Sequence, residues 1–445
     1  MLYGKYSSRR YAHATMTHAL RTKLFVLFVA LFCIIGVGLL FYTQGYRIDL
    51  TTWRIQKTGA LYIETSVHPV SIELNNQSYQ DKSSFIQRGT FISTVLPKRY
   101  RLIIGKDGYA SYEKNIAIFP GQVTRLLHIL MVPSNIATTT YPRISGDTIV
   151  DSTNGTQLIT YDSAKKVYYA IRLGTPPTIV NLSSKIATLT RRAILAVAFY
   201  PQENNRFIVQ TQAGLSAIDF GANTQTSIIP SASLAWWGVR NNNVYAVTTT
   251  STPAASTSTP PLAAVSISVF DLSLAKIAQT YAFSLPVSST VALADFSSSR
   301  AALVLKDGSL LVYSLNDGSY TRIADAAKAV AFSPDGSRLL YQDRDGKMFA
   351  YLFDDDIVSL NAPGKTALRV GVLEAARMTN FSWALDEYHV LCIYPDKITL
   401  AEITQSEPNE QFTVAPGAES SWYDADSKTL FTVASSTLTA YNLGF

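Results

Sequence analysis

Apolar positions follow three different patterns along the chain, which changes character near residue 58 and again near residue 134. The first pattern is unbroken. Residues 24–42, LFVLFVALFCIIGVGLLFY, are uncharged and mostly large and apolar. About 20 such residues in a helix cross a bilayer core of ~30 Å, so the run predicts one transmembrane helix over 24–43. The second pattern is alternation. Leu61-Tyr62-Ile63-Glu64, Val70-Ser71-Ile72-Glu73-Leu74, Phe91 to Leu96, Tyr100 to Ile104, Asn115 to Ile118 and Val123 to Leu127 alternate in character. Asn75-Asn76, Pro97-Lys98, Asp107-Gly108 and Pro120-Gly121 separate them. Period-two segments punctuated by turn residues read as strands. They predict a small all-β domain over 58–133, joined to the helix by a linker, 44–57.

The third pattern is a repeat over 135–445. Its clearest copy is Ala329-Val330-Ala331-Phe332-Ser333-Pro334-Asp335-Gly336, then Leu339-Leu340-Tyr341, Asp345-Gly346 and Met348 to Leu352. The phrase is strand, tight turn, strand, tight turn, strand. It recurs from Val291, Val197, Leu234, Phe381 and Ser421, with a weaker first copy from Asp147. Repeats of about 40–45 residues with four short strands each are the signature of a β-propeller, here with seven expected blades. A β-sandwich is the alternative, but it does not repeat one phrase. The last copy stops after its third strand. A strand from 135–146 is therefore expected to complete it and close the ring, removing exposed sheet edges. Residues 248–264, TTTSTPAASTSTPPLAA, interrupt the repeat; this composition predicts an extended loop insertion.

Charge fixes an expected orientation. Residues 1–23 hold Lys5, Arg9, Arg10, Arg21 and Lys23 and no acidic residue. The positive-inside rule puts this tail in the cytoplasm and the β-domains outside. A cleaved signal peptide would have a shorter apolar run ending in small residues; this run ends Leu-Leu-Phe-Tyr-Thr-Gln. The tail accounts for most of the net +6, so the basic balance points to an anionic inner leaflet rather than to nucleic acid. Residues 44–134 are also basic, with eleven Lys/Arg against six Asp/Glu. Of the two cysteines, Cys33 lies inside the membrane-spanning run and Cys392 far downstream, so with that topology they cannot pair within one chain and no disulfide framework is expected.

Several residues of the second segment resemble the PEGA domain, a small β-domain of prokaryotic surface and membrane proteins. They are Thr65-Ser66 through Asn75-Asn76, Pro97-Lys98-Arg99-Tyr100-Arg101-Leu102, Lys106-Asp107-Gly108-Tyr109 and Pro120-Gly121. The literal Pro-Glu-Gly-Ala motif is missing, and Lys98 replaces a usual Gly. The phrase Phe332 to Gly336 is similar to TolB-type and WD40-like propellers, without the Trp-Asp dipeptide. These resemblances imply an adaptor or binding protein of the cell envelope, and the PEGA family supplies no catalytic residues.

Candidate chemistry is sparse. His13, His18, His68, His128 and His389 have no metal-ligand spacing with one another or with Cys or carboxylates. Ser359 to Thr366 is a near miss of a phosphate loop that lacks the first Gly and the strand-to-helix context. Asp354-Asp355-Asp356 offers oxygen ligands, but neighbours on a strand point to opposite faces. No catalytic set, metal or cofactor is therefore expected. Trp236, Trp237, Trp383 and Trp422 fall in or near the first strand of their units. They either pack between blades or line the channel mouth, where they would stack on sugars or peptides. The expected role is a membrane-anchored, extracytoplasmic binding or scaffold protein. Its partners would be the bilayer, through 24–42, and an envelope protein or polysaccharide. The alternatives are an envelope enzyme acting in the propeller's central pocket and a purely structural spacer.

Overall fold

A computed structural model describes residues 18–49, 53–83, 88–201, 203–230, 234–251, 262–286, 290–357, 360, 362–370, 372, 374–403 and 411–444. The apolar run forms helix α1, His18–Thr43. It is long and apolar enough to cross a membrane, and none of its span is buried against the rest of the protein. The helix stops at Gly45, whose φ of +87° suits a glycine. The carbonyl of Tyr42, which accepts from Gly45 N at 3.2 Å, also accepts a 2.9 Å bond from the Arg47 guanidinium, a cation where the helix dipole favours one.

Where the sequence suggests only a linker, the chain forms a hairpin of β1 (Tyr46–Asp49) and β2 (Arg54–Lys57). The hairpin is closed at its base, because the Thr58 N–H and hydroxyl both donate to Gly45 O, at 2.9 and 2.7 Å. The helix end and the first β-domain are thereby joined directly.

That domain has two packed sheets. One orders β6 (Gly89–Val95), β3 (Gly59–Thr65) and β9 (Val123–Ile129), with β3 and β9 parallel. The other orders β5 (Gln77–Gln80), β4 (Ser71–Leu74), β7 (Arg99–Gly105) and β8 (Tyr112–Ala117). Alternate residues Leu61, Ile63, Ile72, Leu74, Leu102 and Ile104 face inward and are essentially fully buried, as period-two strands with one covered face require.

The repeat forms seven four-stranded antiparallel sheets among the described residues. In chain order, blades one to six span 148–181, 196–229, 234–286, 291–324, 327–370 and 380–416. The seventh takes Ser420–Asp424, Thr429–Ala434 and Thr437–Asn442 from the C-terminus. Its fourth strand is β10, Thr138–Pro142, which pairs with Thr437–Asn442 in the register Thr138↔Tyr441. First strands of neighbouring blades touch, as in blades seven and one, one and two, three and four, and four to six. They form the inner ring. Seven apolar clusters each bridge two successive blades, the last joining Ile149, Leu158 and Ile171 of blade one to Phe431, Val433 and Leu438 of blade seven. Among the described residues, each of the seven seams therefore has apolar packing.

The repeat phrase folds as its residue types demand. The Ser333 hydroxyl accepts from Arg338 N at 3.0 Å, and the Asp335 carboxylate accepts from Ser337 N at 3.0 Å. Gly336 sits at φ +75° with space for no Cβ, which would meet Ser297 Cβ of blade four at 2.7 Å. The turn residue is also a contact between blades.

Two expectations are corrected here. The segment 248–264 is not simply a loop: Asn243–Ser251 and Leu262–Asp271 are strands paired through Ser251↔Ala263. Its residues 252–261 lie outside the described residues. The connection from blade one to blade two contains a helix that the β-pattern did not suggest, α2, Leu182–Thr190. Asn181 caps it by accepting from Ser184 N at 2.8 Å. Leu182 and Ile186, one turn apart, bury its inner face.

Candidate ligand groove and ring axis

Among the described residues, the inner ring carries three carboxylates. Asp151 Oδ2 accepts from Phe199 N of blade two at 2.7 Å, and Asp295 Oδ2 accepts from Phe332 N of blade five at 2.6 Å. Each carboxylate thus ties its blade to the next in the same way. Asp424 of blade seven accepts from the Ser152 hydroxyl at 2.5 Å and from Gly155 N at 3.2 Å, both in blade one. Burial pushes the Asp151 carboxyl up to about 7, with the Asp424 charge adding to it and the Phe199 and Ser152 amides opposing. Burial likewise raises Asp295, against the Phe332 amide and the Arg240 charge. Asp151 retains some accessible surface. Arg240 of blade three donates to Phe296 O at 2.6 Å and Ser333 O at 2.7 Å, so one side chain bridges blades three, four and five. Every carboxylate here has a structural hydrogen-bond donor, which describes fastening between blades.

Of the four tryptophans, Trp383 is 6 % exposed and donates Nε1–H to Ala331 O of blade five at 2.8 Å. Trp237 donates to Gln210 Oε1 of blade two at 2.8 Å. Trp236 lies against Phe296 with ring centroids 5.3 Å apart, and Trp422 packs on the cluster between blades seven and one. Trp236, Trp237 and Trp422 keep partial exposure. The four do not form one platform, since each packs in a different cluster.

The triple-aspartate run is likewise divided. Asp356 pairs with Arg338, and Asp355 Oδ1 accepts from Gly364 N at 2.6 Å. No group of three or more potential metal ligands occurs among the described residues. His389 Nδ1 lies 2.8 Å from Asp386 Oδ1 beside the junction of the two β-domains.

The concavity best furnished for a ligand is a groove of about 310 Å³ between blades one and two. Its apolar members are Ala170, Val180, Leu182, Phe207 and Phe220. Its polar members are Gln157, Arg172, Thr178, Lys185, Asn204 and Asn205, with no carboxylate among the lining residues. Helix α2 supplies Lys185, whose Nζ lies 4.3 Å from the Phe220 ring centroid. The nearby acids are engaged elsewhere: Glu203 and Asp219 lie 2.8 and 3.8 Å from the Arg206 guanidinium. The groove therefore offers two cations and amide groups over an apolar base. Pockets of this size and character take small ligands or single side chains. The sequence reading missed it because its residues come from five separate segments, and α2 itself broke the expected β-pattern.

No protein-family model and no characterised protein matches the sequence. Among solved structures, a chain of a mitotic checkpoint complex is similar at 13 % identity and TM-score 0.46, over 70 % of this chain and 94 % of that one. PorZ, a bacterial surface component of the type-IX secretion system of Porphyromonas gingivalis, is similar at 12 % identity and TM-score 0.40. That match covers 69 % of this chain and 39 % of PorZ. A computationally designed protein matches at 13 % identity and TM-score 0.40, over 67 % and 97 % of the two chains. The propeller assignment rests on the seven sheets, not on these likenesses.

Proposed function

We propose that this chain is a membrane-tethered, non-catalytic binding protein that holds a seven-bladed propeller outside the cytoplasm, at the cell envelope. The orientation follows from the basic tail before α1. The two-sheet domain next to the helix, with turns at Asn75-Asn76 and Gly108, supports the PEGA resemblance and acts as a short stalk. The partner is a protein with an exposed acidic segment, which the groove between blades one and two takes. The observation that carries this reading is the pairing of Arg172 and Lys185 with an apolar floor and no lining carboxylate. Charge-assisted bonds fix the carboxylates of such a segment, while Phe207 and Phe220 take an apolar neighbour.

The test uses the full chain in detergent and two labelled peptides, one alternating Glu with Leu and one alternating Gln with Leu. The Glu peptide should bind more tightly, with affinity falling as salt rises. The double variant Arg172→Glu/Lys185→Glu should lower that affinity at least tenfold without changing the unfolding midpoint. Equal binding of the two peptides, or an unaltered affinity in the variant, overturns the groove reading.

A further inference from the structure

The hairpin β1–β2 has a face that the rest of the protein leaves uncovered. Ile48 and Ile55 pair directly across it, so both point to one side. They are 60 % and 66 % exposed, and Trp53 beside the turn is 81 % exposed. The hairpin does not project away from α1. With Gly38, Phe41 and Tyr42 of the helix, Tyr46, Arg47, Ile48 and Ile55 line a mostly apolar cleft of about 370 Å³. Tyr46 packs edge-on against Phe41 with centroids 5.3 Å apart, and Arg47 lies 3.7 Å over the Tyr42 ring. The isoleucine pair therefore lies alongside the last turns of the helix. Gly38 precedes the helix end at Thr43 by five residues, or about 7.5 Å at 1.5 Å per residue.

We infer that the hairpin is a second membrane-contacting element, seating Trp53, Ile48 and Ile55 in the phospholipid interface beside helix α1. The inference rests on the reading that α1 spans a bilayer. Its occupant is lipid because the cleft continues the lipid-facing band of α1. Its depth also matches the ~5–10 Å to which interfacial elements sink. Arg47, Arg54 and Lys57 outnumber Asp49 on the hairpin, which suits the phosphates above that depth. Trp53 supplies an amphipathic ring of the kind that settles at this boundary.

The experiment uses the full chain reconstituted in phosphatidylcholine vesicles whose acyl chains carry bromine at a shallow or a deep position. The shallow bromines should quench part of the tryptophan emission more than the deep ones. Trp53→Phe should remove that quenched part, because the other four tryptophans lie in the propeller. Ile48→Ser/Ile55→Ser, with Trp53 intact, should reduce the quenching as well. Identical quenching in wild type and Trp53→Phe overturns the inference. Alkaline extraction of the same vesicles separates the two readings. Protein that stays in the membrane but shows no Trp53 quenching keeps the anchor and loses the hairpin contact. Protein that washes out loses both.

Discussion

Lys114 Nζ of the first β-domain lies 3.3 Å from Glu402 Oε2 of blade six, across 288 residues of sequence, and its side chain is 1 % exposed. The Tyr112 hydroxyl donates to the same carboxylate oxygen at 2.9 Å. Around them His128 stacks on Tyr388 at 3.9 Å, and Phe412 of blade six touches the cores on both sides. The two β-domains are thus fastened, and the fastening has a polar centre within an apolar rim.

Removing one member of a buried pair leaves the other charge uncompensated, at a cost of about 3–5 kcal/mol. Lys114→Met should lower stability by about 3 kcal/mol and expose the 130–136 segment to protease. Lys114→Met/Glu402→Leu should recover part of the loss. Denaturant unfolding of the four proteins in the cycle measures this. A single variant as stable as wild type would remove the pair from the junction's energetics.

The closing strand makes a second prediction. On an edge strand alternate N–H groups donate to the ladder, so one of two adjacent prolines must break a bond. Thr139→Pro/Thr140→Pro should destabilise the propeller by roughly 1–3 kcal/mol and leave the first β-domain intact. An unchanged unfolding midpoint would show that β10 does not close the ring.

Asp151 gives a pH prediction. Its carboxyl is raised to about 7 in the folded chain, against an ordinary value near 4 when unfolded. Between these values the folded state holds the proton and the unfolded state does not, so stability falls as pH rises through that window. Asp151→Asn keeps an oxygen for the Phe199 amide and removes the titration. Relative to wild type it should gain stability from pH 4 to 7, reaching about 1–4 kcal/mol at pH 8, the upper figure discounted because Asp151 keeps some accessible surface. Unfolding midpoints at pH 4 and pH 8 decide it; an unchanged difference between the two proteins would refute it.

Gly336→Ala tests the turn between blades. Its Cβ would have to displace Ser297 from a left-handed backbone position. The expected cost is about 1–3 kcal/mol, measured by thermal unfolding. Gly108→Ala is the comparison, since a Cβ there meets nothing within 4 Å and only the φ of +82° opposes it.

What was legible in the sequence followed from periodicity. The phrase from Ala329 to Leu352 announced a repeat, and the missing fourth strand after Tyr441 announced β10, because a closed sheet leaves an accountable gap. The features missed were those for which periodicity carries no signal. Helix α2 shows only the spacing of Leu182, Ile186 and Leu189 inside a polar connection. The hairpin strands of 46–57 are four residues each, too short to show alternation. The ion pair of Lys114 with Glu402 needs two distant strands to meet. The groove is harder still, because Arg172, Lys185 and Asn204 read as ordinary surface residues until the ring brings them together.

The segment leaving the first β-domain has a mechanical consequence. Val132 is embedded in the apolar cluster between blades six and seven, Pro133 bridges Tyr109, and the Ser134 N–H is bonded to Gly108 O at 2.9 Å. Only a few residues later the same chain becomes β10. A pull between helix α1 and the propeller is therefore borne first by this junction. If the junction yields, the load passes to the one strand whose removal opens the ring. The fold works as a fuse in series with a clasp: the junction contacts protect the closure, and their strength sets the force at which the propeller begins to unwind.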